Sequence, residues 1–270
     1  MIPYPFTYHR AQSVKEAETL LARWPDAKLL AGGHSLIPAM KLRLSNPSEL
    51  IDISGVPELS YIREREGGIA IGAMTTHSEV MDSDLVRRHI PALASLVSEI
   101  GDPAVRHMGT IGGSVANNDP AADYPAAILG LDATIATNRR SIPADNFFTG
   151  MFSTALEEGE IVTEISLPAP KRSGYAKFAN PASRYAMVGV FVSETRTGIR
   201  VAVTGAGSCV FRMPEMETAL AKSFAPEAVA SIPISADRLN SDIHGSAEYR
   251  AHLVSVMAKR AVAAAIENRA

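Results

Sequence analysis

Two glycine pairs, Gly32-Gly33 and Gly112-Gly113, constrain this chain more than any other feature of its sequence. The first lies in Leu29-Leu-Ala-Gly-Gly-His-Ser-Leu36 and the second in Thr110-Ile-Gly-Gly-Ser-Val-Ala-Asn117. Each follows an apolar stretch and runs into a small polar residue. Glycine permits positive φ and lets a ligand approach with no Cβ in the way. Successive N–H groups in such a turn form a concave donor site for anions. A pyrophosphate carries two phosphates, so two such loops would hold it from both sides, with hydroxyl donors from Ser35, Thr110 and Ser114. Taken singly, either loop reads as a tight turn without a ligand, because short glycine motifs recur by chance. Neither is a G-x-G-x-x-G fingerprint or a G-x-x-x-x-G-K-[ST] phosphate loop, so those two nucleotide-binding classes lose support.

The chain has 270 residues, enough for two modest domains. Hydrophobic residues make up 46% and charged residues 20%, as in a soluble globular protein. A net charge of −3 gives no reason to expect nucleic acid as a partner. The single cysteine, Cys209, excludes an intrachain disulfide and an iron–sulfur cluster ligated by cysteines of this chain alone. It reads as a small buried apolar residue rather than a reactive thiol. The opening MIPYPFTYHR has no apolar run of the signal-peptide kind. No stretch approaches the roughly 20 apolar residues of a membrane helix. A cytoplasmic protein without a membrane span is therefore expected.

Local patterns predict mixed architecture. Ser13-Val-Lys-Glu16 predicts a capping box opening a helix to about residue 23, ended by Trp24-Pro25. Short strands are expected at 28–31 and 49–53, and a hairpin at 59–73 turning at Gly67-Gly68. Thr76-His-Ser-Glu79 is a second capping box, and a helix over 91–100 stops at Gly101. Residues 109–114 read as turns, 124–131 as a helix, and 133–137 and 161–167 as strands. Pro168-Ala-Pro170 with Lys171-Arg-Ser-Gly174 is the best linker candidate. Strands follow near 174–178, 185–194 and 199–205, with a hairpin turn at Thr195-Arg-Thr-Gly198. Ser246 is placed to cap a last helix in which Leu253, Met257, Ala261 and Ala264 keep a helical period. This order points to α+β rather than a doubly wound parallel sheet.

Six ordered segments, together with the late Ser241-Asp-Ile-His-Gly-Ser-Ala-Glu-Tyr-Arg250, closely resemble the FAD-binding subunit of the molybdenum hydroxylases. The six are Ala31-Gly-Gly-His-Ser-Leu-Ile-Pro38, Ile71-Gly-Ala-Met-Thr-Thr76, Gly109-Thr-Ile-Gly-Gly-Ser-Val-Ala-Asn-Asn-Asp-Pro-Ala-Ala-Asp123, Glu158-Gly-Glu-Ile-Val162, Arg184-Tyr-Ala-Met-Val-Gly189 and Val201-Ala-Val-Thr-Gly205. The likeness is to the medium subunit of aerobic carbon monoxide dehydrogenase and to the flavin domain of xanthine dehydrogenase, and it spans nearly the whole chain. It implies a vanillyl-alcohol-oxidase-like (PCMH-type) FAD-binding fold. Residues 1–168 would form the FAD domain, with subdomains of about 1–55 and 56–168, and 174–270 a C-terminal α+β domain.

The resemblance also assigns site residues. Leu30, Ala31, Gly32, Gly33, His34, Ser35 and Leu36 would form the first half of a pyrophosphate cradle; Thr110, Ile111, Gly112, Gly113, Ser114 and Asn117 would form the second. Asp123 matches an acid that bonds the ribose or adenine side of the cofactor. Val162 and Lys177 match positions that contact the adenine and the C-terminal side of the cofactor. Tyr185 matches a tyrosine close to the flavin ring. Ser114 stands where many relatives have Asn. Arg184 stands where a small acid is frequent, and a cation there would favour the reduced, anionic flavin. FAD is expected to be non-covalent, with His34 a polar member of the loop rather than an attachment point. A bulky Gly112→Val is expected to strike the pyrophosphate and abolish FAD retention.

No nucleophile triad or zinc motif appears, so no catalytic or metal-ligating residue is assigned. Asp119 and Asp123 read as structural: one as a cap near Ala121, the other on the cofactor sugar. The chain would then accept electrons from [2Fe–2S] clusters on a small subunit, served by a molybdenum cofactor on a large subunit, and pass them to an external acceptor. Assembly as a dimer of heterotrimers is expected. Two other readings stand beside this one. A stand-alone flavin-dependent oxidoreductase would bleach with its own substrate. A flavin-free relative acting in assembly would be colourless.

Overall fold

The computed structural model describes residues 2–268. Its elements fall into three bodies in chain order. The first body holds β1 (Thr7–Arg10), α1 (Val14–Arg23), β2 (Lys28–Leu30), α2 (Leu36–Lys41) and β3 (Glu49–Asp52). Its strands run parallel in the order β1-β3-β2. Parallel neighbours need crossovers, which α1 and α2 supply. Ser13 caps α1 by accepting from the Glu16 N–H at 3.1 Å, but the Glu16 carboxylate takes the Gln12 N–H, so the expected box is only half formed. A small core of Ala17, Ile51, Ile53 and Leu59 lies beneath this sheet.

The second body is a five-stranded antiparallel sheet in the order β4-β5-β10-β6-β7. β4 (Ile62–Arg65) and β5 (Gly68–Gly72) form the expected hairpin, with Gly67 at φ 75° in its turn. Six helices follow: α3 (His77–Asp82), α4 (Asp84–His89), α5 (Pro91–Ser98), α6 (Pro103–Met108), α7 (Ile111–Asn117) and α8 (Tyr124–Gly130). The Thr76–Glu79 capping box is complete at the start of α3. The chain then forms β6 (Thr134–Thr137), β7 (Ser141–Pro143), the small hairpin of β8 (Phe148–Gly150) and β9 (Ser153–Thr154), and the central β10 (Val162–Pro168). Alternate residues of the sheet, Ile69, Ile71, Ile165 and Leu167, bury against Leu93, Leu96, Ile111, Val115 and Ile128 of the helices.

Two expectations are corrected here. Residues 109–114 are not a string of turns: Ile111 opens α7, and the second glycine pair lies in its first turn. The linker is also shorter than expected. Only three residues, Ala169 to Lys171, separate β10 from the next strand, and both ends are pinned by Ala169 N–H to Gly67 O and Lys171 N–H to Glu194 O.

The third body contains β11 (Arg172–Ala179), β12 (Ala186–Thr195), β13 (Gly198–Thr204), β14 (Phe211–Arg212), α9 (Pro214–Lys222), α10 (Pro226–Ala230) and α11 (Ala247–Glu267). Its antiparallel sheet is buried on both faces, which explains the unbroken apolar run in β12. Val188, Val190 and Val192, with Val201 and Val203, pack on Val254, Met257 and Ala261 of α11. On the opposite face Tyr175, Phe191 and Ala202, aligned across three strands, join the core of the second body. Arg200 reinforces that seam by donating to Leu129 O and pairing with Asp132. Among the described residues no helix is long and apolar enough to cross a membrane, and no group of three or more His, Cys, Asp or Glu is placed to hold a metal ion.

Candidate functional site

The two glycine segments meet. A Cβ on Gly32 would lie 2.0 Å from Met108 O and 2.8 Å from Gly109 Cα. Only glycine allows this backbone-to-backbone contact between the first loop and the entrance of α7. Gly33 takes φ 72°, turning the chain into α2. His34 folds back, its Nδ1 donating to Gly32 O at 2.9 Å. Among the described residues the backbone N–H groups of Gly33, His34, Ser35 and Leu36 have no hydrogen-bond partner. They form an unspent run of donors on the exposed side of the turn.

The second segment is built differently. Thr110 caps α7, its Oγ1 accepting from Gly113 N–H at 3.1 Å. The N–H groups of Ile111, Gly112 and Ser114 are bonded to Thr75 O, Ala73 O and Thr110 O. Its backbone donors are therefore spent inside the protein. Gly112 is glycine for packing, since a Cβ there would fall 2.5 Å from Ala73 Cβ. A Gly112→Val side chain would strike the turn after β5, a lesion of the fold, not the direct clash with a ligand expected from the sequence. What α7 offers outward is a half-buried strip one helical step apart: Gly113, Ser114 and Asn117. At Gly113 a Cβ would stand 3.8 Å from Ala31 Cβ, so this strip faces the first loop.

At its far end α7 delivers the chain into a cleft of about 360 Å³. Asn118 caps the helix in the left-handed region at φ 44°. Its side chain donates to Gly150 O and Ser153 O, fixing the β8–β9 hairpin and its exposed Phe152 at the rim. Asp119, whose Oδ1 accepts from Ala121 N–H, forms one wall with Pro120. Tyr185 forms the other and is 46% exposed. Burial pushes its hydroxyl pKa up, helped by the negative charges of Asp119 and Asp123. Arg184, exposed and at φ 62°, precedes it in the chain.

The structure thus gathers 30–36 with 110–117 and sets Tyr185 in the adjoining cleft. Other expected residues lie deeper. Ile111 and Val162 are core residues. Asp123 is 5% exposed; its carboxylate accepts from Tyr175 Oη at 2.5 Å and from Lys177 Nζ at 2.9 Å. Lys177, its side chain sealed from solvent, also donates to Glu99 O. Burial raises the Asp123 carboxyl pKa, opposed by the charge of Lys177. Both oxygens of Asp123 thus have protein partners. Sequence reasoning missed Asn118, Phe152 and the C-terminal Asp242 and Arg250, which also line or brace the cleft. For Arg250 a signal existed: it lies four residues before Val254 and seven before Met257, on the apolar stripe of α11.

Unspent N–H donors, a glycine strip that admits close approach, and a cleft flanked by an aromatic ring suit a diphosphate joined to a flat ring system. The comparisons agree. Residues 4–170 match the family described as FAD binding domain in molybdopterin dehydrogenase. The chain is 40% identical to the carbon monoxide dehydrogenase medium chain of Hydrogenophaga pseudoflava, covering 98% of each. It is 36% identical to the nicotine 6-hydroxylase medium subunit of Paenarthrobacter nicotinovorans, covering 94% of this chain and 95% of that one. A solved structure of the Hydrogenophaga pseudoflava carbon monoxide dehydrogenase that lacks the Mo-pyranopterin moiety superposes with a TM-score of 0.92 at 40% identity over 100% of both chains. The PCMH-type α+β fold expected from the sequence is therefore the fold observed. With cradle, cleft and relatives in agreement, the chain belongs to the FAD-binding medium subunits of the molybdenum hydroxylase family, a family of oxidoreductase subunits.

Proposed function

We propose that FAD lies along α7, its diphosphate on the first glycine loop and its isoalloxazine in the cleft beside Tyr185. The observation that carries this reading is the pairing of loop one's unspent N–H groups with the Ser114–Asn117 strip across a backbone contact. α7 has seven residues and is therefore roughly 10 Å long, so it links the two ends of one extended ligand. FAD supplies one- and two-electron redox chemistry when bound. The chain's residues bind and orient it. The N–H groups of Gly33, His34, Ser35 and Leu36 meet the phosphate charge. Ser35, Ser114 and Asn117 add side-chain donors, while Leu30, Ala31 and Gly113 form the floor. Thr110, Ile111 and Gly112 hold α7 in place. Val162 and the Asp123–Lys177 pair support the walls from behind. His34, its Nδ1 donating to Gly32 O, serves as a polar member of the loop, and the cofactor is non-covalent.

In this role the chain is an electron-transfer subunit working in the cytoplasm. It takes electrons from [2Fe–2S] clusters of a small subunit, served by a molybdenum-bearing large subunit, and passes them to an external acceptor. The whole assembles as a dimer of heterotrimers. Support comes from the single cysteine, which leaves this chain unable to ligate such clusters itself, and from relatives named as medium chains. Purification from the native host tests it. A yellow complex containing iron, molybdenum and two further chains is expected, and a flavoprotein that stays free of all three would overturn it.

A further inference from the structure

We propose that Arg250 is a positioning residue for the flavin cleft, clamping three of its walls through one buried guanidinium. This rests on the placement of the flavin ring beside Tyr185 proposed above. Arg250 stands in the first turn of α11 and is 4% exposed. Its Nη1 donates to Met187 O at 2.7 Å and to Gly205 O at 3.0 Å. Its Nη2 donates to Asp242 Oδ2 at 2.7 Å.

Each acceptor belongs to a different wall. Met187 follows Tyr185 by two residues at the start of β12. Gly205 follows β13 at φ 80°, and its N–H bonds Pro120 O at 2.8 Å, tying it to the wall that carries Asp119. Asp242 opens the turn to Gly245, its Oδ1 accepting from the N–H groups of His244 and Gly245. A guanidinium offers five N–H donors in a rigid fork, and an ammonium cannot span three fixed acceptors in the same way. Burying that charge is tolerated only because it is paired and bonded. Tyr185 is held from its other side too, with its carbonyl accepting from Asn180 N–H at 2.8 Å. The clamp therefore restrains the Tyr185 wall through Met187, and the C-terminal helix bears on the position of a tyrosine far earlier in the chain.

The test uses the intact flavinated protein with three variants: Arg250→Lys, Tyr185→Phe and the double. A tyrosine in contact with an excited flavin quenches its emission by electron transfer, so Tyr185→Phe is expected to brighten bound FAD. Arg250→Lys is expected to brighten it as well, but to add nothing in the Tyr185→Phe background, because both act through one ring. Amide hydrogen exchange across 185–188 and 240–246 is expected to quicken by about tenfold or more, as loss of a charged hydrogen bond implies. Unchanged emission and exchange in Arg250→Lys would overturn the clamp, as would a double variant brighter than Tyr185→Phe alone. If Tyr185→Phe itself leaves emission unchanged, the ring placement fails, and the exchange data alone decide whether Arg250 holds the walls. Should Arg250→Lys not fold, Asp242→Asn cuts only the charged arm. It is expected to quicken exchange within 240–246, and no change there would also overturn the proposal.

Discussion

A methyl group at position 32 would sit 2.0 Å from the Met108 carbonyl oxygen, so Gly32→Ala must push the two glycine segments apart. Overpacking of this kind costs about 1–3 kcal/mol. The flavin-to-protein ratio after gel filtration is expected to fall, together with a lowered melting temperature. Ser114→Asp separates cradle from packing: its side chain is half-buried and points along the outward strip, so the fold is expected to survive. A carboxylate near the diphosphate repels it by about 1–4 kcal/mol. Wild-type melting with lost FAD is the expected pair of results, and an unchanged flavin ratio would remove Ser114 from the cradle. Glu160 gives a different kind of prediction. Hydrogen bonding from Arg140 holds its carboxyl down at about 2, well below the ordinary 4.5. A depressed acid stabilises the fold fully above its unfolded pKa and loses that contribution as the pH falls through the folded value. The melting difference between the wild type and Glu160→Gln is therefore expected to be full at pH 7 and to shrink as the pH drops from 4.5 towards 2.

α11 is the main cover of the third sheet, since Val254, Met257 and Ala261 pack on one face of it beside Met216, Leu220 and Val229 of the shorter helices. Met257→Ala removes a fully buried side chain and is expected to cost about 2–5 kcal/mol in urea unfolding. That helix was legible in advance, because its apolar residues recur at helical spacing and Ser246 caps it. The strands 186–195 and 198–204 were legible for the same reason: β-branched runs flank a two-residue turn. α7 was not. Two successive glycines are the poorest of starts for a helix by intrinsic propensity. Long-range bonds override that preference: the Thr110 cap, with Thr75 O and Ala73 O taking the first N–H groups. The cleft was only partly legible. Tyr185, Asp119 and Arg250 each lie in a motif segment, but no local pattern links those segments to one another or to Phe152.

At the scale of the molecule, the second and third bodies share one core, because Tyr175, Phe191 and Ala202 lie within the cluster that contains Leu93 and Ile128. A fragment of residues 1–170 would lose that whole layer. It is expected to bind a hydrophobic dye and digest rapidly, whereas limited proteolysis of the intact chain should spare the pinned connector at 169–171. An autonomous, protease-resistant 1–170 would show that the shared layer is dispensable. The contrast between the two glycine segments reaches further. α7 has spent its backbone donors on Thr75, Ala73 and Thr110, while the turn at 33–36 keeps its own in water. With FAD placed as proposed, its contacts fall on donors that the scaffold does not itself use. Flavin stripped from the protein is therefore expected to return on adding FAD without a refolding step, and an apoprotein that unfolds on stripping would overturn this.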